Sequence, residues 1–272
     1  MKRHTVLVFA LVILLHTTGM GAVRIATANL EDFGFGGGDC KGAYGISQIA
    51  AILSTYDIVS CQEVMRASDN GQRCYGCTGY SCQLGLLVAE MSRISGQTWS
   101  YRVSGPHRYA SRYEYYAFLY NTSTVTYLGM EGTAAGVPGS PIFEVRPPFW
   151  AYFRSGTFDF VLVDYHAPSV GSSVSTYAEV QKLESFLDAL QTSDPDEQDY
   201  ILAGDINQTY LQLDHFSCAC KATLDYLIFD QEFTGYEWDP PLCFTDTALE
   251  DQGLSDHPIV WAQFDTTKED DD

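Results

Sequence analysis

Phe158-Asp-Phe-Val-Leu-Val-Asp-Tyr-His166 and Tyr200-Ile-Leu-Ala-Gly-Asp205 are two apolar, β-branched or aromatic runs, and each stops on a polar residue. Their length and composition are those of buried strands. Between them Val180, Leu183, Leu187 and Leu190 recur at helical spacing, and Tyr177 falls on the same face. Thr176 and Glu179 stand at capping-box spacing at the start of that face, and Pro195 lies beyond its end. Outward from this segment, strand-like runs recur at Val23–Asn29, Asp57–Glu63, Tyr116–Asn121, Phe149–Arg154, Leu224–Phe229 and Pro258–Phe264. Ile46, Ile49, Ala50 and Leu53 share one helical face, as do Leu84, Leu87, Val88 and Met91. Strands apolar on both faces, interspersed with helices, predict an α/β (α+β) architecture in which helices cover the outside of the sheets. No repeat and no long Pro- or Gly-rich linker divides the chain, so residues 23–265 read as one domain.

Lys2 and Arg3 precede the apolar run Val6–Leu15, and small residues Gly19, Gly21 and Ala22 follow it. That run is far short of the roughly 20 residues a membrane span needs, so residues 1–22 read as a secretory signal peptide and the mature chain as secreted. The last residues, 266–272, form an acidic tail. Over 272 residues, 35 Asp and Glu face 15 Lys and Arg, a formal charge of −20. With 46% hydrophobic and only 18% charged residues, disorder, collagen and coiled-coil readings fall away. So does a protein that wraps nucleic acid stoichiometrically, which needs clustered cations.

Eight cysteines suit an oxidising compartment. Cys61 lies inside a strand-like run and reads as a buried free thiol. Cys74, Cys77 and Cys82 crowd a Gly-rich loop, Cys40 comes early, and Cys218, Cys220 and Cys243 come late. Cys74 and Cys77 have zinc-knuckle spacing, but the export leader favours disulfides, whose connectivity the sequence does not give. Asn121-Thr-Ser is a glycosylation sequon, so the chain reads as a glycoprotein.

The chemistry is written in the strand ends. Val23–Ala28 ends in Asn29, Asp57–Gln62 in Glu63, Phe158–Tyr165 in His166, and Tyr200–Gly204 in Asp205, with Asn207 two residues on. Asp256 and His257 stand just before the last strand. One polar strand end is ordinary. Amide, carboxylate and imidazole groups ending separate strands are what divalent-metal and acid–base work needs.

In this order, Asn29-Leu-Glu, Gln62-Glu-Val, His166-Ala-Pro, Gly204-Asp-Ile-Asn and Ser255-Asp-His-Pro resemble the endonuclease/exonuclease/phosphatase superfamily, most closely the deoxyribonuclease I family. Ser111-Arg-Tyr-Glu-Tyr-Tyr-Ala-Phe-Leu-Tyr resembles that family's acidic strand motif and places Glu114. Glu144-Val-Arg-Pro-Pro-Phe resembles its phosphate-contacting segment and places Arg146, and Leu224-Asp-Tyr-Leu-Ile places Asp225. The resemblance runs from residue 23 to residue 264. It implies a four-layer sandwich of two packed β-sheets flanked by helices, with the site at one edge. It also implies Mg²⁺- or Mn²⁺-dependent endonucleolytic hydrolysis of DNA, leaving 5′-phosphate ends. Carried over by position, Glu63 and Asn29 would hold the metal with Asp256 nearby. His166 would pair with Glu114 and His257 with Asp225, as general acid and base in an order left open. Asp205 and Asn207 would orient the water and the phosphate, and Arg146 would contact a phosphate. A glycan on the Asn207-Gln-Thr sequon would block such a site, so that sequon is expected to be unused.

From Ser92 to Tyr113 there is no Asp or Glu, while Arg93, Arg102, His107, Arg108 and Arg112 are interleaved with aromatics. This window reads as a phosphate-contact surface, with Arg66 extending it, or alternatively as an ordinary loop. The loop after Gly129 lacks the cysteines and acidic residues that vertebrate relatives carry there, which leaves Ca²⁺ the less favoured ion. Arg112 stands where the family commonly shows tyrosine. DNA as substrate, no membrane association and a monomeric state are expected. The competing readings are a phosphoesterase of the same fold acting on phospholipid (sphingomyelinase-like) or inositol phosphate, and a secreted binding module without catalysis.

Overall fold

A strand that is apolar at successive positions must be covered on both faces, and Phe158–His166 and Tyr200–Asp205 are covered in this way. The computed structural model describes residues 21–34, 42–65, 80–109, 112–169, 171–209, 213, 218–230, 233–238 and 243–268. Its strands are β1 (Ala22–Phe33), β2 (Ile58–Met65), β3 (Trp99–Val103), β4 (His107–Tyr109), β5 (Arg112–Asn121), β6 (Thr126–Thr133), β7 (Phe149–Ser155), β8 (Phe158–His166), β9 (Tyr200–Asp205), β10 (Cys218–Ala222), β11 (Asp225–Phe229), β12 (Phe244–Asp246) and β13 (Ile259–Asp265). Its helices are α1 (Gly42–Leu53), α2 (Tyr80–Ser95), α3 (Thr176–Val180), α4 (Lys182–Ser193) and α5 (Ala248–Asp251). One sheet runs β12-β13-β1-β2-β5-β3, with β4 also paired to β5; the other runs β10-β11-β9-β8-β7-β6. Within them β1 with β2 and β8 with β9 are parallel.

The sheets meet over an aromatic-rich interior that includes Phe118, Phe153, Phe160 and Phe264. Ile49, Leu53, Leu87 and Met91 of α1 and α2 cover the outer face of the first sheet. Leu183, Phe186, Leu187 and Leu190 of α4 cover the outer face of the second. The result is the four-layer sandwich that the motifs implied. No helix among the described residues is long and apolar enough to cross a membrane.

Four local expectations need correction. The helix that follows β8 is two helices, because Gln181 closes α3 and opens α4. Its N-cap is Ser175, whose hydroxyl accepts from the Ala178 N–H, while the Thr176 hydroxyl donates instead to the Pro168 carbonyl. Glu179 also serves elsewhere: it is buried and accepts from the Glu144 N–H at 3.0 Å. Tyr177, placed by periodicity on the apolar face, is 65% exposed. Asn121 is 2% exposed and donates its amide to Gln97, so that sequon has no room for a glycan. Cys61 is a buried free thiol as expected, and Cys220 is bonded to Cys243. Cys40, Cys74 and Cys77, and residues 1–20 of the leader, lie outside the described residues.

One glycine sets the spacing of β8 and β9. Gly204 has φ +149°, and a Cβ there would fall 1.9 Å from the Tyr165 carbonyl oxygen. Only glycine lets β9 run this close, and the adjacent register pair is His166 with Asp205. Gly204→Ala is therefore expected to cost about 2–4 kcal/mol from strain and overpacking. Thermal denaturation followed by circular dichroism checks this, and an unchanged Tm would contradict it.

Candidate active site

The site collects at the edge where several strands end. β1 and β2 keep parallel register up to Asn29 with Gln62, then shift before Phe33 pairs with Val64. A second register shift between β2 and β5, from Cys61 to Val64, brackets the same place. Glu63 sits in this double irregularity with φ +57°, and Asn207, beyond β9, has φ +53°. Left-handed backbone at non-glycine residues persists only where surrounding contacts enforce it. Here those contacts are site contacts. The Glu63 carboxylate accepts from the Asn29 amide at 3.1 Å and from the Asp32 N–H at 2.9 Å. The Asn207 N–H donates to Asp205 Oδ1 at 2.9 Å.

Asp205 Oδ2 is the centre. It accepts from Asn29 Nδ2 at 3.2 Å and from Asn207 Nδ2 at 3.3 Å. His166 Nε2 lies 3.4 Å from it and His257 Nε2 3.7 Å. Each imidazole is held at its other nitrogen by a carboxylate: His166 Nδ1 lies 2.6 Å from Glu114 Oε1, and His257 Nδ1 lies 2.9 Å from Asp225 Oδ2. The Ser255 hydroxyl donates to the Asn29 carbonyl at 2.7 Å and accepts from the His257 N–H at 3.1 Å, which ties the last segment to β1. The expected catalytic residues thus come together.

No protein-family profile and no curated protein matches the sequence. The structure does match solved structures. An endonuclease/exonuclease/phosphatase protein from Bacteroides vulgatus aligns with TM-score 0.60 and 15% identity, over 90% of this chain and 98% of that one. A protein of the same description from Leptotrichia buccalis C-1013-b aligns with TM-score 0.58 and 13% identity, over 89% and 99%. Truncated TDP2 from Caenorhabditis elegans aligns with TM-score 0.56 and 12% identity, over 90% and 97%. The chain has the endonuclease/exonuclease/phosphatase fold.

Within this fold the charges are finely set. Burial would raise the Glu114 carboxyl, but the charges and hydrogen bonds of His166 and Arg146 outweigh it and bring it from the usual 4.5 to about 2. Burial raises Asp225 to about 6 despite its bond to His257. Burial would lower His257, yet the hydrogen bond and charge of Asp225, then Asp205 and Asp256, raise it to about 9. His257 therefore holds its proton more tightly than a free imidazole, between Asp225 and Asp205.

The donor chemistry fits a hard divalent cation. Glu63 Oε1 and Asp205 Oδ2 both accept from Asn29 Nδ2, while Asn29 Oδ1 accepts from the Glu31 N–H at 3.0 Å, so to ligate a cation between the two carboxylates the Asn29 carboxamide would turn to present Oδ1. Glu63 and Asn29 are the expected ligands, and Asp256, 73% exposed at its side chain, reaches His257 Nε2 at 3.5 Å from the rim. A second set overlaps the first. Ligand atoms of Asp205, Asp225 and His257 lie within 4.8 Å of one another. No soft thiolate enters either set.

The cationic surface is where the structure departs from expectation. Arg146 is buried and paired with Glu114, it approaches His166 Nδ1 at 3.0 Å, and it donates to the Ala167 carbonyl at 2.8 Å. Its guanidinium is built into the site wall rather than extended to solvent. Arg93 is bound to Glu90 at 2.7 Å and Arg102 to Glu131 at 2.6 Å. His107 is 6% exposed, and burial lowers it to about 4, so it is neutral. The window therefore carries less free positive charge than its composition promised, because its partners come from outside it. Arg66 and the side chains of Arg108 and Arg112 lie outside the described residues.

A layer of polar residues beneath the site had not been read from the sequence. The Gln62 amide donates to Asp164 Oδ1 at 2.7 Å and to the Thr27 hydroxyl at 3.2 Å, and all three residues are fully buried between the sheets. Asp164 Oδ2 has no partner among the described residues, and burial pushes this carboxyl well above its ordinary range. Each of the three lies one or two residues before a site residue: Asn29, Glu63 or His166. The signal was present, since Asp164 interrupts an otherwise apolar run.

Because the folded Glu114 carboxyl titrates below the unfolded one, its stabilisation is complete above about pH 4.5 and is lost as pH falls toward 2. The stability gap between wild type and Glu114→Gln should therefore shrink by on the order of 3 kcal/mol across that window. Urea denaturation at a series of pH values measures it. A gap that stays constant below pH 4.5 would contradict the pairing.

Proposed function

We propose that this protein is a secreted phosphodiesterase that uses a divalent metal, Mg²⁺ or Mn²⁺, to cut DNA endonucleolytically, leaving 5′-phosphate ends. The observation that carries this reading is the convergence of Asn29, Asn207, His166 and His257 on one Asp205 oxygen. A site this acidic repels an anionic diester unless a cation is present, and a bound divalent ion would supply that charge and polarise the phosphate. Glu63 and Asn29 would hold it. Asp205 would orient an attacking water, and Asn207 would act through it, since its amide bonds Asp205 Oδ2 at 3.3 Å and the Ala167 carbonyl at 2.9 Å. His166 and His257 present Nε2 toward the same point and can give or take a proton there, with Glu114 and Asp225 fixing each ring from behind. Arg146, neutralised by Glu114, sets the wall against which His166 rests.

Export is supported by the leader pattern and by the Cys220–Cys243 bond. The Asn207 amide is committed to the Ala167 carbonyl at 2.9 Å, which argues against a glycan there.

The test is purified protein with plasmid DNA, RNA or sphingomyelin, each with Mg²⁺, Mn²⁺ or EDTA. DNA nicking abolished by EDTA is expected. Release of choline phosphate in place of nicking would transfer the reading to a lipid enzyme, and inactivity on all three would point to a binding module. His166→Ala and His257→Ala should each lower turnover by about 10²–10⁴ while leaving the circular dichroism spectrum intact. A variant that keeps more than a tenth of wild-type rate would remove that histidine from its role.

A further inference from the structure

Beside the acidic pocket, on the Asn207 side, a cavity of about 640 Å³ opens between the segment that leads into α3 and the residues that follow β9. Asn207 belongs to both: its amide is 3.3 Å from Asp205 Oδ2, and it also lines this cavity. Val174, Thr176, Tyr177, Gln208 and Leu224 line it as well, and no charged side chain does among the described residues. Its volume is that of a small-molecule site. Tyr177 lies at this wall 65% exposed, although helical periodicity assigned it to the buried face.

The charge distribution gives this neutral wall a task. Arg93, Arg102 and Arg146 are each matched by a carboxylate, at Glu90, Glu131 and Glu114. A polyanion gains little from these three cations, so contacts that do not depend on charge would add to its affinity. An exposed aromatic ring beside aliphatic and amide groups provides such a contact, because every base has a face that stacks.

We infer that this cavity is the subsite for the nucleoside next to the scissile phosphate, with Tyr177 as its stacking platform and Gln208 as a hydrogen-bonding wall. The inference rests on the phosphodiesterase reading and extends it to the part of the substrate that carries no charge. Stacking on one aromatic side chain changes binding by a factor of roughly 5–150. Tyr177→Ala should therefore raise KM for a single-stranded oligodeoxynucleotide about tenfold with kcat nearly unchanged. Tyr177→Phe and Tyr177→Trp should restore it. Methyl 2,2,2-trifluoroethyl phosphate, a diester without any aromatic group, should be hydrolysed equally by all four proteins.

Calorimetry with a dinucleotide that carries a hydrolysis-resistant phosphorothioate linkage separates the two readings. If wild type binds it more tightly than Tyr177→Ala, the subsite stands whether or not turnover is seen. Equal binding by the two proteins would overturn it, as would equal loss of rate on both diesters. Tyr177-dependent cleavage of sphingomyelin vesicles without oligonucleotide cleavage would also overturn it, since the cavity would then hold a lipid headgroup. Failure of wild type to hydrolyse any diester would refute the phosphodiesterase reading alone.

Discussion

One carboxylate oxygen, Asp205 Oδ2, is shared by side chains from four separate stretches of the chain. Two imidazoles and two carboxamides can meet on it only if β1, β8 and β9, together with the segment before β13, all reach the same edge. That condition fixes much of the architecture. Parallel pairing of β8 with β9 sets His166 beside Asp205, and parallel pairing of β1 with β2 brings Asn29 level with Gln62. Gly204 permits the close approach that the first pairing needs, and the irregularity at Glu63 turns a carboxylate toward the second.

Gathering so many acids has an electrostatic cost, and the structure meets it in two ways. Glu114 is neutralised by Arg146 and His166, which hold it ionised at depth. Asp225 shares a proton with His257, whose affinity for it rises accordingly. Glu63 has the Asn29 amide, and Asp205 has the same amide together with the Nε2 atoms of His166 and His257 at 3.4 and 3.7 Å. Like charges held this close are tolerated where a cation is meant to bind. Beneath them the Thr27–Gln62–Asp164 layer keeps the buried ends of three strands hydrogen-bonded instead of apolar. It fixes strand positions without adding charge if Asp164 keeps its proton, as its burial favours.

Much of this was legible in advance. The strands of the interior announced themselves as apolar runs, and the residues that end them are the site. The strands that escaped notice are those whose sequences mix polar and apolar residues, such as β6, a half-exposed edge strand, or those that are very short, such as β12. Ser175 and Thr176 are equivalent as caps on paper, and only the path of the backbone decides between them. Glu114, Arg146 and Asp225 were reached through resemblance, not through local pattern. The pairing of Arg93 and Arg102 was not legible because ion pairing is a long-range property: Arg102 meets Glu131 across the fold, and no composition count within residues 92–113 contains that acid. Asp164 was visible as an interruption but has meaning only once Gln62 is seen opposite it.

The account stands on the convergence of these residues around a divalent ion. Anomalous diffraction from crystals equilibrated with Mn²⁺ addresses this directly. A peak bounded by Glu63, Asn29 and Asp205, or by the overlapping set of Asp205, Asp225 and His257, is the predicted result. Manganese bound only elsewhere on the surface, with this pocket empty at millimolar ion, would contradict it.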